Sequence, residues 1–432
     1  MPLTPDSEIV LTAEKPVAGG RMLARHDGQV VFVAGAIPGE RVRARVERLS
    51  KQLAFAETLE VLEASPDRRA SGVDWACAGS IYAHIAYPRQ LSLKSELVAD
   101  AFARIGKITL PAATPVMGSQ EQGYRMRARL HAREGRFGFF REGTHELCDA
   151  GPTNQLLPAT MAAVDRLRAA LRSNHVEGVI ACEISENIPA SERAVLLELE
   201  GSRIPPLELD AVEGITGLAF TSRQNSRVTV AYGSPYVSDR IEVSGASGVS
   251  GASGASAVLT HHVQSFFQGN RYLLPWLVGR LLDHVTGGDV IDLYAGVGLF
   301  AVALAASGRA DITAVEGDRW SVRDLDANAA PYAGALSVEH SPVERYLQRS
   351  GIRRPETVVL DPPRTGLSRD AMSGMLRLKP RRIVYVSCDL ATVARDVKRF
   401  LEEGYRLEHI EASDLFPNTA HVETLVILES KI

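Results

Sequence analysis

Apolar and polar residues alternate in "GGRMLARHDGQVVFVAGAIPGERVRARVERL" (residues 19–49), and His26-Asp27-Gly28 and Pro38-Gly39 cut the alternation into short pieces. A period of two puts one face of an extended chain on a core and the other in water, so residues 1–67 are expected to form a small β-barrel. In "PRQLSLKSELVADAFARIGK" (residues 88–107) the apolar spacing becomes helical and closes on a glycine, which predicts a helix with its C-terminal stop. A mixed region follows, with strands expected over residues 125–140 and 194–199 and a helix over residues 159–172.

The tract "SGASGVSGASGASA" (residues 244–257) cannot bury enough apolar surface to pack, and it reads as a flexible loop or linker that divides the chain. Beyond it, the short apolar runs "DVIDLYAG", "ITAVEGD", "LSVEH", "TVVLDPPR" and "RIVYVSCD" alternate with helical segments. That alternation predicts a parallel sheet covered by helices on both faces. The last two strands, in "YRLEHIEASDLF" and "HVETLVILES", are joined by a long loop and suit an antiparallel pair at the sheet edge. The expected organisation is an N-terminal barrel (1–67), a central α+β unit (68–260) and a C-terminal Rossmann-like α/β unit (261–432).

Composition adds exclusions. No apolar run approaches the roughly 20 uncharged residues of a membrane span, and "MPLTPDSEIV" lacks a basic region followed by an apolar one, so a cytoplasmic protein with no membrane partner is expected. Cys77, Cys148, Cys182 and Cys388 lie far apart without a CxxC pair, which indicates neither a disulfide framework nor a zinc ribbon. A formal net charge of -4 does not advertise a nucleic-acid partner. A local basic face stays open in "YRMRARLHAREGRFGFFRE" (residues 124–142), which equally suits the solvated face of an antiparallel sheet.

Candidate chemistry gathers at the strand ends of the last unit, where open α/β sheets bind ligands. Gly296 and Gly298 let the backbone pass close to a ligand, and Glu316 at the next strand end can accept hydrogen bonds from two ribose hydroxyls. This combination fits a dinucleotide or S-adenosylmethionine. Asp361 stands before two prolines, a rigid exit suited to holding a flat base, or simply a strand stop. Cys388 is a nucleophile if the following helix lowers its pKa, and otherwise a small buried hydrophobe. Glu423, beside His421, is either a proton acceptor sharing the cysteine's pocket or an edge-strand charge.

In order along the chain, "SFFQGN", "DLYAGVGLF", "VEGD", "LDPPRTGL", "VYVSCDLATVARD" and "DLFPNTAHVET" resemble the RNA 5-methyluridine methyltransferase family. "GRMLARHDGQVVFVAGAIPGERV" resembles the TRAM domain, an OB-type barrel that holds RNA. The resemblance implies a class I methyltransferase that uses S-adenosylmethionine to methylate carbon 5 of a uridine. The TRAM-like segment favours large-subunit ribosomal RNA as partner; a transfer-RNA T-loop, or an RNA-binding protein of this fold without turnover, are the alternatives.

Position by position, the resemblance implies Cys388 as the nucleophile on uracil carbon 6 and Glu423 as the base. It implies Gln268, Tyr294, Glu316 and Asp361 as cofactor contacts, with Leu299 and Ser341 as further ones. One segment departs from the pattern. Members with an iron–sulfur cluster carry CGGC, whereas this chain has "CAGS" with Ser80 in the partner position. No cysteine precedes Cys77, and the later ligand position falls near Thr153, with Cys148 slightly out of place. A cluster ordinarily takes four thiolates, so neither an iron–sulfur cluster nor another metal is expected.

Overall fold

The computed structural model describes residues 3–50, 53–201, 210–243, 255–285, 287–309 and 311–431. Strands β1 (Glu8–Thr12), β2 (Lys15–Pro16), β3 (Met22–His26), β4 (Gln29–Ala34), β5 (Arg41–Ser50) and β6 (Leu53–Glu63) form one sheet in the order β1-β5-β6-β4-β3-β2. All neighbours are antiparallel except β4 and β6. The alternation in β5 does what its period requires: Val42, Ala44 and Val46 are buried, while Arg43 and Arg45 point outward and pair with Glu60 and Glu57. β1 and β2 lie at the two ends of this order and follow each other in the chain, the Ala13 N–H reaching the Glu40 carbonyl next to β5 and the Glu14 N–H the Leu23 carbonyl of β3, so one bent strand runs along both ends of the ladder.

Helix α1 (Tyr87–Ala101) continues into a wider turn over Phe102–Gly106. Lys107, at φ 58°, takes the left-handed stop that the sequence assigned to the glycine. Gly106 meets a different need, because a Cβ there would stand 3.2 Å from the Ala394 carbonyl.

Strand β7 (Val116–Met117) leads to the central unit, built from β8 (Arg127–Arg133), β9 (Arg136–Phe140), β10 (Leu147–Cys148), helix α2 (Pro158–Ser173), β11 (Val179–Glu186), β12 (Arg193–Leu199), β13 (Gly217–Ser222) and β14 (Asn225–Gly233). The sheet order is β10-β9-β8-β11-β12-β13-β14, and Leu167 and Leu171 of α2 share a core with Leu130, Ile184 and Leu197. The arginines of this stretch are largely committed: Arg129 pairs with Glu183 and Glu198, Arg141 with Asp74, and Arg127 donates to the Val263 and Ser265 carbonyls.

Strands β15 (Tyr236–Glu242) and β16 (Ser256–His262) pair with each other in the register Glu242↔Ser256. The Gly/Ser tract therefore connects two strands of one hairpin and does not divide the chain; its residues 244–254 lie outside the described residues. β16 packs on the C-terminal unit, where Asn328 bonds both backbone groups of Thr260 and Asp324 accepts from the His262 N–H.

The last unit contains α3 (Leu274–His284), β17 (Val290–Leu293), α4 (Leu299–Ala306), β18 (Ile312–Glu316), α5 (Arg319–Ala329), β19 (Leu336–His340), α6 (Val343–Leu347), β20 (Thr357–Leu360), α7 (Arg369–Leu378), β21 (Arg382–Ser387), α8 (Leu390–Glu402), β22 (Tyr405–Ser413) and β23 (Glu423–Ser430). Its eight-stranded sheet runs β19-β18-β17-β20-β21-β23-β22-β7, with the first five strands parallel. β23 inserts antiparallel between β21 and β22. The short β7, parallel to β22, occupies the edge where β22 and β23 were expected. Buried alanines, leucines and valines on both faces give two large cores, the pattern of an α/β sheet covered on each side. No described helix is long and apolar enough to cross a membrane.

Cys77 and Cys148 form a disulfide, with 5.8 Å between their Cα atoms, contrary to the expectation drawn from their spacing. Cys77 bridges to Arg141 and Cys148 pairs with Phe139, so the central sheet joins residues 71 positions apart.

Candidate active site

In the antiparallel register of β21 and β23, Ser387 faces Thr424. Cys388 is the residue after Ser387 and Glu423 the residue before Thr424, so thiol and carboxylate leave the ladder at the same end. Glu423 is 4% exposed, and burial, reinforced by the charge of Asp361, holds its carboxyl well above the usual range while Arg364 opposes. Burial, with Glu423 and Asp361 adding to it, pushes the Cys388 thiol up to about 11; Arg364 beside it pulls the other way through charge and a hydrogen bond.

The lowered thiol pKa expected from the helix N-terminus is therefore not found. Asp389 caps α8, its carboxylate accepting from the Thr392 N–H at 2.8 Å, so the helix end is already satisfied by an anion. Asp361, where β20 ends, is raised to about 7 by burial and accepts from Gln268 Nε2 at 3.4 Å. The Arg364 guanidinium thus acts on both Cys388 and Glu423, and the Asp361 carboxyl works against it on both.

The neighbouring strand ends form a second cradle. Tyr294, at φ 63°, and Gly296 and Gly298, at φ 56° and 95°, turn the chain from β17 into α4. A Cβ on Gly298 would stand 2.8 Å from Leu325 Cδ1, whereas one on Gly296 would meet nothing within 4 Å. Gly298 is thus fixed by packing, and Gly296 borders open space. Glu316 at the end of β18 ties the loop down: Oε2 accepts from the Gly296 N–H at 2.8 Å, and Oε1 from the Gly317 and Asp318 N–H groups at 2.7 Å. Asp292 is fully buried and held well above the carboxylate range by burial and by Asp361. Its Oδ2 accepts from the Ala301 N–H at 3.0 Å, and its Oδ1 has no hydrogen-bond partner among the described residues. Leu299 begins α4 and is buried; Ser341 is buried after β19, its N–H on the Glu316 carbonyl at 2.9 Å and its hydroxyl on the Pro342 carbonyl at 3.2 Å.

The loop between β22 and β23 is bolted from far along the chain. Lys94 of α1 forms a fully buried ion pair with Asp414 and donates to the Phe416 carbonyl at 3.1 Å. Gln90 exchanges hydrogen bonds with Asn418 at 2.9 and 3.0 Å, and Asn270 donates to the Leu415 carbonyl at 2.9 Å. A cleft of about 430 Å³ opens from Cys388 and His421 past Arg104, in the wider turn that follows α1, to Trp75.

Sequence reasoning missed Arg364, Lys94 and Asp292 as parts of this centre. Arg364 stood three positions after Asp361 inside "LDPPRTGL". Lys94 interrupts the buried stripe of Gln90, Leu97 and Ala101 at helical spacing, a signal that was there to be read.

Comparison with known proteins agrees with this architecture. The family tRNA (Uracil-5-)-methyltransferase matches residues 351–431 and the TRAM domain matches residues 8–59. An uncharacterized RNA methyltransferase of Streptomyces coelicolor is 31% identical over 96% of this chain and 91% of its own length. The 23S rRNA (uracil(1939)-C(5))-methyltransferase RlmD of Halomonas elongata is 31% identical over 95% of this chain and 87% of its own. The Pyrococcus abyssi tRNA (uracil-54, C5)-methyltransferase, solved with S-adenosyl-L-homocysteine, superposes with a TM-score of 0.76 at 23% identity, covering 97% of this chain and 100% of that one.

Fold and strand-end cradle define a class I, S-adenosylmethionine-dependent methyltransferase with an N-terminal TRAM domain. The chain belongs to the RNA uracil-5-methyltransferase family. The cradle fits the cofactor: Gly296 borders open space, Glu316 Oε2 keeps one lone pair beyond those given to the backbone, and Asp292 Oδ1 is buried and without a partner among the described residues.

Proposed function

We propose that the protein methylates carbon 5 of a uridine in large-subunit ribosomal RNA through a covalent adduct on Cys388. The observation that carries this reading is the β21–β23 register, which sets Cys388 and Glu423 side by side with Arg364 against the thiol. The TRAM domain and the 31% identity to RlmD favour ribosomal RNA as substrate.

Carbon 5 of uracil is a weak nucleophile. The Cys388 thiolate forms a bond to carbon 6, and the electron pair of the 5,6 double bond moves onto the ring as an enolate, which makes carbon 5 electron-rich. Gln268, Tyr294, Glu316 and Asp361 would hold S-adenosylmethionine, which would supply the methyl group that carbon 5 takes, with S-adenosylhomocysteine as the leaving group. Glu423, as carboxylate, removes the remaining proton of carbon 5; the double bond re-forms and the thiolate leaves. A burial-raised carboxyl is a stronger base than an ordinary one, which suits that proton. Arg364 favours the thiolate against two neighbouring acids. The target base has to leave its stack to reach the cleft beside Cys388, so unpaired RNA is the natural substrate.

The test is incubation of purified protein with labelled S-adenosylmethionine and, separately, ribosomal and transfer RNA lacking the modification, followed by mapping of 5-methyluridine. Label at a ribosomal uridine is the expected result. Label in transfer RNA alone overturns the substrate, and label in neither overturns turnover on these RNAs.

A further inference from the structure

His284, His409 and Glu411 come together outside the residues of the candidate active site, with one potential ligand atom from each lying within 4.8 Å of the others. They are the one such His/Cys/Asp/Glu group among the described residues. His409 and Glu411 alternate on β22 and so project from one face of it, and His284 ends α3.

The distances are informative. His284 Nε2 lies 3.9 Å from Glu411 Oε1, and His409 Nε2 lies 3.6 Å from Glu411 Oε2. Both are beyond the range of about 2.7–3.2 Å in which an N–H···O bond closes. Both Nε2 atoms are shielded from solvent and have no hydrogen-bond partner among the described residues. Two buried imidazole nitrogens therefore converge on a carboxylate without bonding to it. A tetrahedral ion with ligand bonds of about 2.0–2.1 Å sets its donors about 3.3 Å apart, so the three donor atoms, which lie within 4.8 Å of one another, would draw together around one.

Arg280, one helical turn before His284, donates to Glu411 at 3.0 and 3.2 Å and to Asp283 at 2.9 Å. This leaves each Glu411 oxygen with a further lone pair and orients the carboxylate, as hydrogen bonds to metal-ligating carboxylates do. Asp283 balances the guanidinium charge.

We propose that His284, His409 and Glu411 bind a divalent cation of the zinc class, cross-linking the end of α3 to β22 and keeping a fourth position for water. Two imidazoles and one carboxylate are a zinc-type donor set. The proposal rests on no reading of methyl transfer. It revises the expectation of no metal, which could not have been otherwise from sequence, because His284 and Glu411 lie 127 positions apart.

Tag-free protein is freed of metal with a chelator, equilibrated with zinc, passed through gel filtration and analysed for zinc. Thermal midpoints are measured with and without zinc. The expected result is one zinc per chain with a raised midpoint in the wild type and in Cys388→Ala, both effects lost in His284→Ala and His409→Ala, and zinc retained in His409→Cys, which replaces one ligand by another. Circular dichroism separates loss of the site from loss of the fold, and His409, half-exposed, is the variant expected to fold normally. No retained zinc in the wild type, or equal zinc in the wild type and the His284→Ala/His409→Ala double variant, overturns the proposal.

Discussion

Cys388 and Glu423 are cross-strand neighbours, one residue beyond the last register pair of β21 and β23, Ser387 with Thr424. The charge of Glu423 raises the thiol's pKa, so the two groups resist being anions together, and Arg364 is the cation that relieves the conflict. The proposed mechanism needs the two anions at different moments: the thiolate at attack, the carboxylate at proton removal.

Replacing Cys388 with alanine removes the nucleophile while leaving Glu316, Gln268 and the glycine turn untouched. Methyl transfer to RNA is expected to fall to background while S-adenosylmethionine binding, measured by calorimetry, stays largely intact. Undiminished turnover would remove Cys388 from the mechanism.

Glu423→Gln keeps the shape of the pocket and removes the base. Attack and methylation then proceed but elimination stalls, so a covalent protein–RNA adduct should accumulate as a shifted band on a denaturing gel. Free product without adduct would assign proton removal to another group.

A thiol with a pKa of about 11 is almost wholly protonated at neutral pH. Alkylation of Cys388 by iodoacetamide, followed by mass spectrometry of its peptide, should accelerate about tenfold per pH unit from neutral pH and level off only near that pKa, because only the thiolate reacts. The neighbours predict opposite shifts. Arg364→Ala removes a group that lowers the pKa and should slow alkylation at fixed pH; Glu423→Gln removes one that raises it and should speed alkylation. A flat profile between neutral pH and pH 9 would mean that the thiol is already ionised and that burial does not govern it.

The parts of this centre that local pattern reveals are those set by neighbours in sequence. Cys388 at a strand end, Glu316 after an apolar run and the Gly296–Gly298 turn were legible because strand and helix periods change there. The order of the sheet was not: β23 inserts between β21 and β22, and β7 reaches the edge from the region before the central sheet. The pairing of Cys77 with Cys148 and of β15 with β16 across the Gly/Ser tract likewise depends on chain segments meeting in space, which spacing does not encode. The thiol's pKa was misread because the helix dipole was weighed without the Asp389 cap, burial, or the acids that arrive from β20 and β23.

Lys94 and Asp414, 320 positions apart and both fully buried, test whether the loop that leads into β23 and Glu423 is held from α1. Removing one partner of a buried ion pair leaves the other charge uncompensated, which costs about 3–5 kcal/mol, whereas replacing both with apolar residues of similar volume is often neutral. Lys94→Met should therefore lower the denaturation midpoint markedly, and Lys94→Met/Asp414→Leu should recover most of that loss in urea titrations followed by circular dichroism. The two variants separate stability from positioning. In the double variant the Phe416 carbonyl still lacks its donor, while the loop between β22 and β23 keeps its ties to Gln90, Asn270, Arg69 and the Tyr82 N–H. A recovered midpoint with methyl transfer still depressed would assign the pair to aiming the loop at Cys388. Full recovery of both would reduce it to packing, and an unchanged midpoint in Lys94→Met would show that the pair contributes nothing net.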